Sequence, residues 1–198
     1  SRFNGKYPFF ISIFTIIFIS IGGYIYYTNN ILNDRTSSKE REIETVEWEK
    51  KYKKYENYNQ PRIVSVNVDV NIFPDSRDVN SSGEYIMINK TTEPIDSIFL
   101  DHNSALSTFK FDKENSLVSE DTLYNFDIYK LKKPLFTGDT LKLSFTVKNK
   151  PNTLLRNNSS VIYNGTFLNS SLFPSLGYSG GELTDDKTRE KYDLPPNK

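Results

Sequence analysis

His102 is the single histidine of this 198-residue chain, and the chain has no cysteine. Those two counts decide most of the chemistry open to it. Without cysteine there are no disulfides, thiolate metal sites or thiol nucleophiles. A zinc site of the HExxH kind needs two histidines one helical turn apart, so these residues cannot build one. A Ser-His-Asp triad would have to use His102, which lies beside Asp101 and Asn103 with no nucleophile at a telling spacing. A surface histidine is therefore expected, with a catalytic base as the alternative. Gly180-Gly181 is a lone glycine pair before Glu182, not a phosphate-binding loop. Asp185 and Asp186 suit a helix N-cap, and calcium binding is the other reading. No catalytic residue, metal ligand or cofactor is expected within this chain.

The elements that would position any site fall into two parts. Between Lys6 and Asp34 there is no charged residue. Residues 8–28 read as a transmembrane helix: about 20 apolar residues at 1.5 Å each span a hydrocarbon core of roughly 30 Å. Tyr7 at one end and Tyr24, Tyr26 and Tyr27 at the other form aromatic belts, and Arg2 and Lys6 mark residues 1–7 as a cytoplasmic flank. A cleaved signal peptide is the competing reading, but the run is long and no small-x-small site follows. Residues 29–60 form a linker and stalk helix. Ser37-x-x-Glu40 is a capping box, and Glu47/Lys51 and Glu49/Lys53 are favourable i,i+4 pairs. Ile43, Val46, Trp48, Tyr52 and Tyr55 make a broken stripe, so a solvated stalk lying partly on the next domain is expected, ending before Pro61.

Residues 61–176 read as an antiparallel β domain. In Arg62–Phe73, Val64, Val66, Val68, Val70 and Ile72 alternate with polar residues, which predicts one buried and one wet face. A turn region follows from Pro74 to Gly83. Further strands are expected at Glu84–Asn89, Ile95–Leu100, Leu106–Phe111, Phe126–Leu131 and Leu141–Lys148, with a proline-led loop from Lys133 to Asp139. Val161–Tyr163 and Thr166–Leu168 flank Asn164-Gly165, a type I′ hairpin signal. The spacing predicts a mainly β fold, an antiparallel sandwich or curved, saddle-like sheet, with a short C-terminal helix over Thr184–Tyr192. Residues 177–198 are a loop and short helix leading to a further domain. Lysine and arginine (25) balance aspartate and glutamate (25), so nucleic acid is not an expected partner. Six Asn-x-Ser/Thr sequons occur, at Asn80, Asn89, Asn157, Asn158, Asn164 and Asn169, in a chain rich enough in Asn and Ser for chance matches. The first residue is serine, and Leu-Pro-Pro-Asn-Lys at the other end reads as mid-protein sequence, so a piece of a longer chain is expected.

Several segments carry a family likeness. They are Asn-Ile-Phe-Pro closing the first strand, Ser82-Gly-Glu-Tyr-Ile-Met-Ile-Asn-Lys, Pro94-Ile-Asp-Ser-Ile and Lys133-Pro-Leu-Phe-Thr-Gly-Asp-Thr-Leu-Lys-Leu-Ser-Phe. Arg62–Lys150 thereby resembles the N-terminal β domain of zinc aminopeptidases of the aminopeptidase N type. Asn149-Lys-Pro-Asn-Thr-Leu-Leu-Arg-Asn-Asn, Asn164-Gly-Thr-Phe-Leu-Asn, Phe173-Pro-Ser-Leu-Gly-Tyr, Glu49-Lys-Lys-Tyr-Lys-Lys-Tyr and Glu182-Leu-Thr-Asp-Asp extend it. The whole chain is similar to the junction of bacterial proteins in which an ABC-transporter permease is fused to an aminopeptidase-like region. The resemblance implies a bacterial inner membrane location with the β domain extracytoplasmic, and a downstream catalytic domain that carries the zinc. Its implied partners are the lipid bilayer, that catalytic domain, peptide substrate and transporter subunits. Tyr178 and Glu182 are the substrate-binding candidates it implies, in the stretch that would face a substrate amine. Loop packing for Tyr178 and plain exposure for Glu182 are the alternatives. An envelope binding module or transporter accessory domain without peptidase activity is the competing function.

Overall fold

The computed structural model describes residues 7–32, 37–102, 107–150, 161–162, 165–178 and 181–196. The chain divides into two compact units, Ser1–Arg41 and Glu42–Lys198.

The first unit is dominated by α1, Tyr7–Tyr27, all of it exposed, followed by a π-helical turn at Thr28–Leu32. By length and composition α1 is apolar enough to cross a membrane. Hydroxyls in and just after α1 are turned back onto it: Ser12 Oγ donates to Pro8 O, Thr15 Oγ1 to Ile11 O and Thr28 Oγ1 to Tyr24 O, each at 2.8–2.9 Å. Such back-bonding satisfies polar groups where no water is present. The expected capping box is formed, with Ser37 N donating to the Glu40 carboxylate and Glu40 N to Ser37 Oγ. It starts α2, Ser38–Tyr52, which continues as a 3₁₀ turn at Lys53–Tyr55.

The second unit is mainly β. Its strands are β1 (Arg62–Phe73), β2 (Asp78–Ile88), β3 (Ile95–Asp101), β4 (Ser107–Phe111), β5 (Asn115–Asp121), β6 (Phe126–Leu135), β7 (Thr140–Asn149), β8 (Val161–Ile162), β9 (Gly165–Thr166) and β10 (Ser175–Leu176). They form two antiparallel four-stranded sheets, β1-β2-β7-β4 and β10-β3-β6-β5, plus the short β8-β9 pair. The two sheets share one core. Met87, Leu141, Leu143 and Phe145 from the first meet Ile98, Leu100, Leu131 and Leu135 from the second. Strand β7 shows the alternation that makes this possible, since Leu141, Leu143, Phe145 and Val147 are all buried. The sheet order is that of a sandwich with non-local pairing.

Several expectations are corrected here. The predicted turn from Pro74 to Gly83 is shorter. The chain reverses at 74–77, with Arg77 at φ 60°, and β2 already runs from Asp78. Asn80-Ser-Ser-Gly is a poor strand sequence, but β2 is hydrogen-bonded on both sides, to β1 and β7, and that pairing overrides propensity. Gly83 is needed there: a Cβ would lie 2.5 Å from Asn67 O and 2.8 Å from Val68 Cγ2. β6 runs through Lys133 and Pro134 to Leu135, where a loop is expected from sequence. The turn itself is Phe136–Asp139, with Gly138 at φ 87° and Asp139 N donating to Phe136 O. Tyr163 and Asn164 of the expected hairpin tip lie outside the described residues, though β8 and β9 pair on either side of them.

The largest correction concerns β1. Its alternating valines do not form a buried face. Val64, Val66, Val70 and Ile72 are 50%, 60%, 36% and 39% exposed, and only Val68 touches the core. Their cross-strand partners behave differently. Val66 pairs with Tyr85, Val70 with Ser81 and Ile72 with Val79, all buried. The core therefore ends between β2 and β1, leaving a 12-residue edge strand with an open apolar row.

Candidate functional site

Within the second unit α2 lies against the β sheet, with Val46, Trp48, Glu49 and Tyr52 buried. Trp48 and Tyr52 pack with Phe99 of β3 and Phe126 of β6, with Tyr55, Tyr124, Ile128 and Tyr178 around them. The Trp48 ring stacks on Tyr178 at 6.0 Å and meets Phe126 edge-on at 5.3 Å. β3 and β6 belong to the sheet whose other face closes the sandwich core, so this sheet is covered on both sides.

Charged residues lock the same seam. Arg189, on the short helix α3 (Asp186–Lys191), is 1% exposed and forks onto Glu49, with Nη2–Oε1 at 2.6 Å and Nη1–Oε2 at 3.0 Å. Two further donors, on Nη1 and Nε, reach Leu183 O and Pro195 O. Burial works to raise the Glu49 carboxyl, but hydrogen bonds from Arg189 and Lys53 outweigh it and hold the group below its ordinary range. Lys53 Nζ bridges Glu49 at 2.9 Å and Glu182 at 3.3 Å. The pairing Glu49/Lys53 is the one the helix spacing predicts. Glu47 and Lys51 find other partners instead: Glu47 accepts from Tyr124 OH, and Lys51 bonds Asp121. Tyr52 OH also donates to Asp121. Asp185 caps α3 by accepting from Thr188 N and Thr188 Oγ1, so the N-cap reading of that residue holds.

The two candidates Tyr178 and Glu182 are brought together on this seam. Tyr178 OH donates to Glu182 Oε1 at 3.4 Å, and burial first, then the nearby Glu182 charge, pushes its phenol far up. Gly177, at φ 82°, turns the chain into this position, and its N–H donates to Phe99 O. Gly180 lies outside the described residues.

His102 is the second correction. It is buried, 9% exposed, against Phe109, with Nε2 3.5 Å from Asp127 Oδ2. Asp101, its polar neighbour on one side, ends β3; His102 follows directly, and its N–H donates to Asn125 O, while Asn103 lies outside the described residues. A groove of about 680 Å³ runs past His102, Asp101 and Tyr85 between the start of β1 (Arg62, Ile63) and the Phe173–Leu176 segment. Sequence reasoning missed this groove because its walls come from residues distant in the chain. Among the described residues, no three His, Cys, Asp or Glu side chains are gathered closely enough to hold a metal ion. One sequon is also structural. Asn89 is fully buried, its Nδ2 donating to Glu93 O and Leu135 O and its Oδ1 accepting from Thr91 N and Oγ1.

No family model matches the chain, and no curated protein does. Among solved structures, the chain is similar to an M1 zinc metallopeptidase from Deinococcus radiodurans bound to a Tyr-Ser-Ala substrate. That match has 14% identity and a TM-score of 0.38, covering 49% of this chain and 22% of that one. A second structure of an M1 zinc metallopeptidase from the same organism matches at 15% identity and a TM-score of 0.34, covering 46% and 20%. This chain therefore spans about a fifth of the length of those enzymes. At TM-scores below 0.5 neither family nor activity is assigned from them.

Proposed function

We propose that this chain is the non-catalytic β module of a membrane-anchored, aminopeptidase-like protein. In this reading α1 holds it to a bacterial inner membrane with the β module outside. A downstream domain of the same chain carries the zinc and the peptidase chemistry, and the β module positions it and walls its cleft. The observation that carries the reading is the open apolar row of β1. Val64, Val66, Val70 and Ile72 lie on an edge strand one step outside the core. Apolar patches of this kind mark surfaces that another surface covers. The sequence resemblance supplies the identity of the covering domain, and the Tyr178/Glu182 pair would stand near its substrate amine. A permease fused on the other side of α1 extends the same reading, and further apolar spans in the parent gene would show it.

The test is made in the parent protein. Val66→Lys with Val70→Lys should leave the β module folded, because both side chains are exposed, while loosening the downstream domain. The expected result is faster proteolysis between the two and a fall in aminopeptidase activity of tenfold or more. Unchanged activity and proteolysis sink the docking role.

A second reading is an envelope module that binds a peptide strand or partner subunit without peptidase activity. It is favoured by the edge of β1, which pairs only with β2 among the described residues and so offers free backbone groups for strand addition. A parent chain lacking any HExxH sequence decides for this second reading.

A further inference from the structure

Among the described residues, β1 is the longest strand and pairs only with β2. All of its residues are exposed except Val68, which is half-buried. An unpaired edge presents a row of N–H and C=O groups that recruits another strand, and proteins blunt such edges with lysine, proline, bulges or brevity. The other edges here are blunted. β10 has 2 residues and β4 has 5, while β5 has 7 and is bulged between Leu117 and Ser119. β1 is bulged only at its start, between Ile63 and Ser65. From Ser65 to Phe73 its register is regular, with no lysine or proline and one charged residue, Asp69.

This open strand is complementary to itself. Two antiparallel copies related by a two-fold axis through Val68 set Val68 against Val68, Val66 against Val70, Asn67 against Asp69 and Ser65 against Asn71. The valines of both copies then share one face, and each Asp69 carboxylate meets an Asn67 amide that can donate to it. Neighbouring registers are worse. Centring on Asp69 sets two carboxylates directly opposite, which is destabilising. Centring on Asn67 shortens the stretch clear of the bulge to Ser65–Asp69. With Val68 at the centre, Ser65–Asn71 is clear of the bulge and forms about seven inter-strand hydrogen bonds, one per residue pair on average. A typical stable interface carries roughly 10 ± 5.

We propose that the β1 edge binds a second copy of this chain, β1 against β1 antiparallel about Val68, joining the two β1-β2-β7-β4 sheets into one continuous sheet. The interface is isologous, so it closes at two copies and does not run on into a fibre. It uses the backbone edge of β1, whereas docking of a downstream domain uses the side-chain row. It therefore stands or falls separately from whether the parent chain carries a peptidase.

The test uses the full chain in detergent micelles. The chain has no cysteine, so a single introduced thiol reports a single contact. Ser65, Asn67, Val68, Asp69 and Asn71 are changed to cysteine one at a time, and each variant is oxidised. Residues directly opposite across an antiparallel pair have Cα atoms about 4.5–5.5 Å apart, within disulfide reach, and thiols two residues out of register do not. Val68→Cys should therefore form a disulfide-linked dimer at least about fivefold more than any neighbour. Asn67→Cys mixed with Asp69→Cys should give a mixed dimer, while neither cross-links alone. Adding Val66→Lys and Val70→Lys to the Val68→Cys chain sets lysine against lysine and should abolish the cross-link. Mixing that chain with one carrying Val66→Glu, Val70→Glu and Val68→Cys should restore it as a mixed dimer. Both substituted positions are exposed, and unchanged Trp48 emission verifies the fold. The proposal is overturned if Val68→Cys gives no disulfide-linked dimer, or if the lysine pair leaves the cross-link intact. It is also overturned if all five positions cross-link alike, the result expected from association through α1 alone.

Discussion

Individual side chains in this protein do more structural work than their types suggest. Asn89 reads as a glycan acceptor, yet its amide joins three segments. It ties the end of β2 to the 89–93 turn and to Leu135, while its backbone exchanges bonds with Gly138 and Asp139. Asn89→Ala would strand the Leu135 carbonyl in a buried place and the Glu93 carbonyl in a part-buried one. Each stranded group costs about 1–3 kcal/mol, and a urea midpoint measurement should show a loss in that range or above it. Mass spectrometry of protein expressed in a glycosylating host should find Asn89 unmodified, because a folded chain does not present it. Arg189 is the charged counterpart. Its guanidinium bonds Glu49, Leu183 O and Pro195 O, so it fixes the C-terminal segment to α2. Removing a single partner of such a pair leaves an uncompensated buried charge, whereas replacing both by apolar residues is far milder.

Among the elements, α2 shows how little amphipathicity a docked helix needs. Its apolar stripe is broken, but aromatic residues carry the contact. Trp48 touches Tyr52, Tyr124, Phe126 and Tyr178 with ring centroids 4.5–6.0 Å apart. Trp48→Ala should therefore cost about 3–5 kcal/mol, measured by urea unfolding, although α2 is an outer layer. The strands that were legible in sequence are those with one covered face, β7 above all. β5 was missed because Asn-Ser-Leu-Val-Ser-Glu-Asp lies on an edge and is exposed throughout except at Asp121. In β1 the period of two identified the strand correctly and misled on its environment. A sequence shows which face is apolar but not whether a second layer reaches it, and here the core stops at Tyr85, Ser81 and Val79. The same limit applies to sites. Tyr178 and Glu182 come from the resemblance and do meet, yet the group that reaches Glu182 is Lys53, which also holds Glu49, itself bonded by Arg189 across 140 residues. His102 loses its expected exposure because Phe109 packs against it and Asp127, 25 residues on, is brought beside it by the fold.

At the scale of the whole molecule, the seam between α2, the β10-β3-β6-β5 sheet and α3 sets the pH range of stability. Glu49 and Asp121 are both buried, which works to raise their carboxyls. Hydrogen bonds from Arg189 and Lys53 on one, and from Lys51 and Tyr52 on the other, outweigh burial and hold both below the ordinary range. Their contribution is fully present above the unfolded value of about 4 and is lost as the pH falls through the lower folded values. The tyrosines of the same seam shift the other way. Burial, then the Glu47 hydrogen bond, pushes Tyr124 up to about 12, and burial and the neighbouring carboxylates push Tyr52 and Tyr178 higher still. Their contribution is present below the unfolded value of about 10 and is lost as the pH rises through the folded ones. Stability should thus be flat from about pH 5 to 10 and fall on both sides. Because the two buried carboxyls held low, Glu49 and Asp121, both lie in this seam, the seam should open first in acid. Trp48 is the chain's single tryptophan and sits in that seam. In an acid titration its emission should therefore shift red at a higher pH than the loss of the far-ultraviolet strand signal. Glu49→Gln should flatten the acid limb of the fluorescence curve and leave the strand transition in place. Coincident transitions, or an acid limb that Glu49→Gln does not alter, would mean that the helix and the sandwich unfold as one body.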